Sequence, residues 1–416
     1  MASTTRKAES EVSHFIVRHI NDRPDDLLLR CGKELEQAEL KYAVVQLECR
    51  QHTRRKLSKF NAFPDFRYPT LLASEQATNQ AVSEYHASLI GTGRRIYDLT
   101  AGLGIDAFTM ALNGNNVTAV ELESDRYGCL VWNAEVLKDD IETKGGRLTV
   151  VNHNCIDWLK ERGEEKADII YIDPARRDIS SNRVFKLTDC VPDVLGNYEL
   201  LSSRADGLLI KASPLLDPVQ TLREIPDLAS IHLVCLRGEC KEVLVAAGKI
   251  FSSDDKEIIA VDLEDEADGS FRIRSEWKCT PADISRSAMI ASREEITPGT
   301  FLYDPNAAVH KIRAGKKLET DFRGILQAGR DTDLFISREF YPDFPGRIFR
   351  IESVPDKREL KSLKKRKGEI MVRNYPEKPE TLRKKLGITS GDDIWIIGFR
   401  AGEQGNPTLV KCSRIS

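Results

Sequence analysis

Acids placed beside glycine and proline turns are the residues of this sequence with the most chemistry to offer. Asp98 opens the run Asp98-Leu99-Thr100-Ala101-Gly102-Leu103-Gly104-Ile105-Asp106, which follows a predicted strand and starts a predicted helix over Ile105 to Leu112. Glycines at such a turn let the backbone approach a ligand closely, and the helix N-terminus favours an anionic group. Gly102-x-Gly104-x-x-Ala107 satisfies the dinucleotide fingerprint. Asp98 argues against that reading, because a carboxylate just ahead of the first glycine faces a pyrophosphate badly and suits a cationic amino group. Glu121 closes the run Asn116-Val-Thr-Ala-Val-Glu121, where an acid can accept both hydroxyls of a ribose. At the next strand end lie Asn154 and Cys155, with Asp157 as the alternative, placed to read an adenine amino group.

A second constellation is Ile169-Ile170-Tyr171-Ile172-Asp173-Pro174-Ala175-Arg176-Arg177. An apolar strand ending in Asp-Pro puts a carboxylate at the C-terminal sheet edge, where α/β active sites lie. Proline fixes the turn, so Asp173 can be held rigidly against an acceptor amine. Direct displacement chemistry gains much of its rate from such positioning. Arg176 and Arg177 are candidates to neutralise substrate phosphates. Lys211, near the end of the next apolar run, is expected in the same cleft. Glu239, Lys241 and Glu242 form a weaker cluster that reads as structural, and Cys240 within it reads as packing.

The elements that must position these residues alternate. Strand-like runs occur at Arg95–Leu99, Asn116–Leu122, Leu148–Val151, Ala167–Ile172, Gly207–Ala212 and Ser230–Leu236, with helix-length segments between most of them. That rhythm predicts βαβ units and a mainly parallel sheet covered on both faces. Glu242–Ala247 is expected to add an antiparallel strand near the sheet edge. Residues 1–68 read as a helical region, with helix-forming composition over Asp25–Cys49, a basic solvated face over Arg50–Lys59, and a connector over Asn61–Pro69. After about residue 250 the rhythm breaks, and a final α+β segment contains a basic run over Lys357–Arg373. Within it Lys364, Lys365 and Lys367 are candidate contacts to an RNA backbone.

Composition narrows the class. The chain of 416 residues suffices for two to four domains. No apolar run approaches the length of a membrane span, and the polar start shows no signal peptide, so a cytoplasmic protein with no membrane partner is expected. Nine cysteines without a C-x-x-C pair suggest neither a disulfide framework nor a metal site. A net charge of -3 excludes a chain that is basic throughout, while leaving room for a local basic face.

With these residues in place, the chain resembles the bacterial class I S-adenosylmethionine-dependent methyltransferases that carry a THUMP-like C-terminal domain. The D-x-x-x-G-x-G turn and Asp173-Pro174-Ala-Arg176-Arg177 resemble that family's two core motifs. Tyr68-Pro69, Glu75-Gln76-Ala77-Thr78 and Ala81-x-x-x-Tyr85-His86-Ala87 resemble the helix before its glycine turn. Tyr303-Asp304-Pro305-Asn306, Phe344-Pro345-Gly346-Arg347, Arg373-Asn374-Tyr375-Pro376 and Leu382-Arg383-Lys384-Lys385-Leu386 resemble its later segments. The resemblance implies an α/β fold with a Rossmann-like sheet, S-adenosylmethionine as cofactor, and RNA (tRNA or rRNA) as the partner. It places Gln76, Thr78, Asp98, Thr100, Gly102, Gly104, Asp106, Glu121, Asn154, Cys155 and Asp173 around the cofactor, with Asp173 and Pro174 as the catalytic turn. It implies a methyltransferase domain over 69–265, a small ferredoxin-like segment over 270–318 and a THUMP-like domain over 319–416. The turn lacks the second proline and aromatic of Asn-Pro-Pro-Tyr enzymes, so no aromatic is expected there to stack on a flipped base. A protein or small-molecule substrate is the alternative reading.

Overall fold

The computed structural model describes residues 11–176, 187–252, 255–266, 270–284 and 286–415. Contacts divide the chain into two compact units. One comprises Met1–Ile231, Glu242–Asp254 and Leu263–Ile273; the other comprises His232–Lys241, Asp255–Asp262 and Arg274–Ser416.

In the first unit the N-terminal region is helical, as expected, but Asp25–Cys49 is not one helix. It divides into Pro24–Arg30 and Gln37–His52, separated by a turn around Gly32. Phe15, Leu27, Leu35, Ala43 and Leu47 form the core beneath it. The basic stretch that follows is not wholly a solvated face. Arg50 is 4 % exposed. Its guanidinium donates to the carbonyls of Asn61, Phe63, Pro64 and Phe66. A buried guanidinium needs this many acceptors, and in meeting that need it pins the proline-bearing connector.

The first sheet is built from β1 (Arg95–Asp98), β2 (Asn116–Glu121), β3 (Arg147–Asn152) and β4 (Ala167–Ile172). A two-residue pair follows, β5 (Ala175–Arg176) with β6 (Cys190–Val191). The sheet continues with β7 (Ala205–Ala212), β8 (Leu228–Leu236), β9 (Glu239–Gly248), β10 (Glu257–Asp265) and β11 (Phe271–Cys279). Its order is β11-β10-β8-β9-β7-β4-β1-β2-β3. β1 pairs in parallel with β2 and β4, and β4 with β7. β9 is antiparallel to β7 as expected, but it is internal, between β7 and β8, rather than near the edge. Two features explain this. Arg237 and Gly238 both have positive φ, the geometry of a tight hairpin turn. Val243, Leu244, Val245, Ala246 and Ala247 are all buried, which only an internal strand achieves for residues of both faces.

The second sheet comprises β12 (Phe301–Pro305), β13 (Leu326–Gln327), β14 (Phe335–Ser337), β15 (Gly346–Ser353), β16 (Glu369–Arg373), β17 (Trp395–Ala401) and β18 (Asn406–Arg414). Its order is β13-β14-β12-β15-β18-β17-β16. Leu302, Phe349, Ile397, Phe399 and Val410 are among its core. Residues 270–318 form no sheet of their own among the described residues: β11 belongs to the first sheet and β12 to the second. No described helix is long and apolar enough to cross a membrane.

The glycine turn is where backbone and packing leave least freedom. Gly104 caps the helix Ile105–Leu112 at φ +92°. A Cβ there would lie 2.3 Å from Leu130 Cδ1 and 2.7 Å from Phe108 Cε2. Gly104→Ala is therefore expected to cost about 2–4 kcal/mol, combining overpacking with left-handed strain. Gly102, at φ +58°, would meet nothing closer than 4.0 Å, so Gly102→Ala should cost only about 1 kcal/mol. Urea unfolding of the two variants measures the difference, and equal losses would refute it.

Candidate active site

Each acid of the site ends or follows a parallel strand: Asp98 on β1, Glu121 on β2 and Asp173 after β4. This is the sheet edge at which α/β folds bind ligands. The backbone between them is tied together. Leu99 N donates to Tyr171 O at 3.0 Å and Ala101 N to Val120 O at 3.0 Å. Asp173 N donates to Thr100 Oγ1 at 2.7 Å, and Thr100 N to Asp98 Oδ1 at 3.1 Å. Glu121 accepts Gly102 N at 2.8 Å on one oxygen and Glu123 N at 2.9 Å on the other. An ionised carboxylate has about four acceptor positions, so two of Glu121's still suit diol hydroxyls.

A buried polar network lies beneath this edge. Asp106, in the first turn of its helix, accepts from the Thr78 hydroxyl at 2.5 Å and contacts His86 Nδ1 at 2.9 Å. The other ring nitrogen of His86 bonds Glu242, and the Tyr171 hydroxyl lies 3.4 Å from Nδ1. Lys211 donates to Thr78 Oγ1 at 3.0 Å and to Asp173 Oδ2 at 2.5 Å. Burial alone would strip the charge from His86, but Glu242 and Asp106 on either side raise its pKa to about 9. Burial likewise works against Asp106's charge, and His86, with Lys211 and Thr78, overcomes it and holds the carboxyl well below its usual range. Burial also works against the Lys211 ammonium, which Asp173, Glu242 and Asp106 hold above the usual lysine range. Burial, with Asp106 and Glu242, pushes Asp173 upward against the pull of Lys211. That push is tempered, since 40 % of its side chain reaches solvent.

Asp98 is the exception. It is 1 % exposed and its Oδ2 has no hydrogen-bond partner. Burial and the Asp106 carboxylate raise its pKa well above the ordinary value. A buried, unpaired carboxyl oxygen beside an open glycine turn fits a cationic amino group, which would restore its charge. Asp98, Gly102 and Glu121 thus suit the amino-acid end, close backbone approach and ribose of S-adenosylmethionine.

The structure brings together Thr78, Asp98, Thr100, Gly102, Asp106, Asp173 and Lys211. Gln76 is exposed at the end of the helix Leu71–Gln76. Asn154 caps the helix Cys155–Glu161, its side-chain oxygen accepting from Ile156 N and Asp157 N. That leaves its amide nitrogen, a donor, rather than its oxygen for a ligand. Cys155 is buried and its thiol is pushed up to about 11 by burial, with smaller pushes from Asp157 and Asp98. Asp157 is paired with Lys160. Pro174 is buried; Arg177 and the Arg176 side chain lie outside the described residues. Sequence reasoning missed the charged role of His86 and read Glu242 as structural. The available signal was Glu242 directly preceding the apolar run Val243–Ala247, an acid where a buried strand begins.

In the second unit Asp304 gathers basic side chains. It accepts from Arg347 at 2.6 and 3.0 Å and from Arg373 at 3.0 and 3.1 Å, with His310 at 3.3 Å. Burial resists this carboxylate's charge, yet His310, Arg373 and Arg347 hold its pKa at about 2. Arg383 binds Gly368 O and Glu369, and Lys385 binds Glu377. Arg373 and Arg383 are thus held by acceptors within the fold, while Lys385 forms an exposed ion pair. Lys364, Lys365 and Lys367 are exposed, with no carboxylate partner among the described residues.

The His86 network gives a signed pH dependence. A pKa raised from 6.5 to about 9 contributes stability that is full below pH 6.5 and is lost as pH rises through about 9. Asp106, held below 3.8, contributes stability present above that pH and lost only in strong acid. His86→Gln should therefore be less stable than wild type by about 3–5 kcal/mol at pH 6, with a smaller deficit at pH 9.5. Urea unfolding at both pH values checks this; a pH-independent deficit would show that His86 is uncharged.

Residues 30–182 match a family described as "Putative SAM-dependent methyltransferase", and residues 346–414 match the "THUMP domain-like" family. A protein of Marinobacter nauticus named ribosomal RNA small subunit methyltransferase J is 32% identical over 83 residues, 19% of this chain and 30% of the relative. One of the same name from Rhodopseudomonas palustris is 27% identical over 165 residues, 37% of this chain and 74% of that relative. The chain spans about a third of the length of the first relatives it matches. The crystal structure of a protein from Porphyromonas gingivalis W83, described as a putative methyltransferase, superposes with a TM-score of 0.82 at 22% identity, covering 99% of each chain; this likeness bears on the fold. The chain is thus similar to SAM-dependent methyltransferases over residues 30–182 and to THUMP-like domains over residues 346–414, on an α/β fold shared with that crystal structure.

Proposed function

We propose that this chain transfers a methyl group from S-adenosylmethionine to RNA, tRNA or rRNA, in the cytoplasm. The observation that carries the cofactor reading is the buried, unpartnered oxygen of Asp98 at an open glycine turn. The relatives named for ribosomal RNA and the THUMP-like match support an RNA substrate. When bound, the cofactor supplies an electrophilic methyl group on a sulfonium.

The residues of this chain then have distinct tasks. Asp98 holds the cationic amino group and Glu121 the ribose hydroxyls. Thr78, Thr100, Gly102, Gly104 and Asp106 build the cradle between them, and Asn154 and Cys155 lie at the adenine end. Gln76, on the exposed end of its helix, is the outermost member. Asp173, one oxygen held by Lys211, keeps the other for a hydrogen bond from the acceptor amine, which orients the nitrogen lone pair. Pro174 fixes that turn, and Arg176 and Arg177 are the candidates to neutralise substrate phosphates. For dissecting activity we retain 69–265 as the catalytic segment and 319–416 as the RNA-handling segment.

Titration calorimetry should show binding of S-adenosylhomocysteine and none of NAD. Glu121→Ala should weaken binding by about 1.5–3 kcal/mol, the range for hydrogen bonds to a charged group. NAD binding in place of S-adenosylhomocysteine would reject the cofactor assignment.

Methyl transfer to RNA from a strain lacking this protein, followed by mass spectrometry of the nucleosides, tests the substrate. Wild type should restore a methylated nucleoside that is missing from the deletion strain. Asp173→Ala should bind the cofactor but lose turnover. Replacing Lys364, Lys365 and Lys367 with alanine should flatten the salt dependence of RNA binding by about 0.7–0.9 per lost contact. No missing nucleoside, together with an unchanged salt slope, would move the substrate to a protein or small molecule.

A further inference from the structure

Far from the strand-end cleft in sequence, the N-terminal helices gather a second set of donor atoms. His19 follows the helical residues 11–18, Cys31 ends the helix Pro24–Arg30, and Glu34 lies in the turn after it. A His Nε2 or Nδ1, the Cys31 Sγ and a Glu34 oxygen lie within 4.8 Å of one another. The His19 ring is oriented from outside: Nδ1 meets Asp22 Oδ2 at 2.6 Å. With the Nδ1 proton given to Asp22, Nε2 carries the lone pair, the arrangement by which carboxylates orient histidine ligands. Nε2 is buried and has no hydrogen-bond partner; the nearest carboxylate oxygen, Glu34 Oε2, is 3.8 Å away. Nothing in the cleft chemistry uses these residues.

We propose that His19, Cys31 and Glu34 bind a divalent transition-metal ion of the zinc type, with solvent as the fourth ligand. A thiolate and an imidazole select zinc-like ions over magnesium or calcium. Tetrahedral coordination places such donor atoms about 3.3–3.7 Å apart, so a spacing of up to 4.8 Å closes by at most about 1.5 Å. Binding releases the Cys31 thiol proton to solvent, and thiolate plus carboxylate then balance the ion's two charges. Arg18, 3.2 Å from Glu34 with its side chain 62% exposed, can swing into water as the ion replaces it. The site would clamp the first helix to the turn after the second. The ligands come from separate elements in a His-x11-Cys-x2-Glu spacing, so no C-x-x-C pattern announces them.

The probe is cobalt(II), titrated into the full chain after chelator treatment in a non-thiol reductant. Wild type should develop a thiolate-to-cobalt charge-transfer band in the near ultraviolet, saturating at one equivalent and bleached by zinc but not magnesium. Cys31→Ser should lose that band. Glu34→Gln and Asp22→Asn, both at exposed positions that leave folding intact, should weaken cobalt binding tenfold or more. Absence of the band in wild type, or its persistence in Cys31→Ser with unchanged affinity in Glu34→Gln, would overturn the site and leave these residues as a surface ion pair around a buried thiol.

Discussion

A charged carboxylate buried at the start of a helix must be answered by a cation, and Asp106 imposes that constraint on the first unit. It is 8 % exposed. Leaving such a charge unpaired would cost several kcal/mol. His86 answers it and must then be held by Glu242 on its other nitrogen. The Thr78 hydroxyl donates to the second oxygen of Asp106 and accepts from Lys211, and Lys211 in turn needs Asp173. The helix Gln80–Ile90, the helix Ile105–Leu112, β7 and β9 are thereby locked to the turn after β4. β9 lies inside the sheet, where Glu242 can reach His86. Hydrophobic packing would tolerate small shifts among these elements; a chain of charged hydrogen bonds tolerates far less.

The same burial has opposite consequences for two acids in one turn. Asp106 is neighbour to a cation and stays ionised; Asp98 has only carboxylates and a single backbone N–H for company, so burial drives it toward its protonated form. Splitting paired acids in this way is how one site comes to hold both a fixed charge and a reserve acceptor. A ligand bringing positive charge to Asp98 lowers the energy of the whole cluster, whereas a pyrophosphate would raise it. The environment of Asp98 thus suits the cationic end of a sulfonium cofactor better than a pyrophosphate, a choice that the glycine spacing alone leaves open.

The alternation of strands and helices was legible because each parallel strand is a short apolar run between turn signals. Asp98, Glu121 and Asp173 were legible because an acid ending such a run has few structural reasons to be there. His86 was not. It lies on a helix whose composition looks like ordinary packing, and only the fold brings Glu242, from 156 positions away, to its ring. Arg50 was misread for a similar reason: within a run of bases it resembles a solvated face, and only the proline-bearing connector folding back supplies four carbonyls to bury it. Long-range pairing of polar groups leaves no periodic trace, so sequence pattern finds the strand ends and misses what braces them.

The second unit shows why charge density in sequence overstates a binding surface. Arg347 and Arg373 are drawn in by Asp304, a residue 1 % exposed, and a carboxylate held near pKa 2 gives up its partners to a phosphate only at a large cost. Arg383 is anchored to Gly368 O and Glu369 and so braces β16 from below. Among the bases left in water are Lys364, Lys365 and Lys367, in a tight turn where Lys365 adopts φ +68° and donates its backbone N–H to Gly387 O. Gly387 has no Cβ, and one would lie 2.9 Å from Lys364 Cγ. The lysines are therefore mounted on a backbone fixed from two sides, while their ammonium groups stay in water. Three mobile charges on a rigid turn favour contact with a phosphate backbone over base readout, because a lysine is a point charge without the planar fork that reads a base edge. For the RNA substrate proposed above, nucleotide specificity would then fall to the strand-end cleft, through the shape around Asp173 and Pro174.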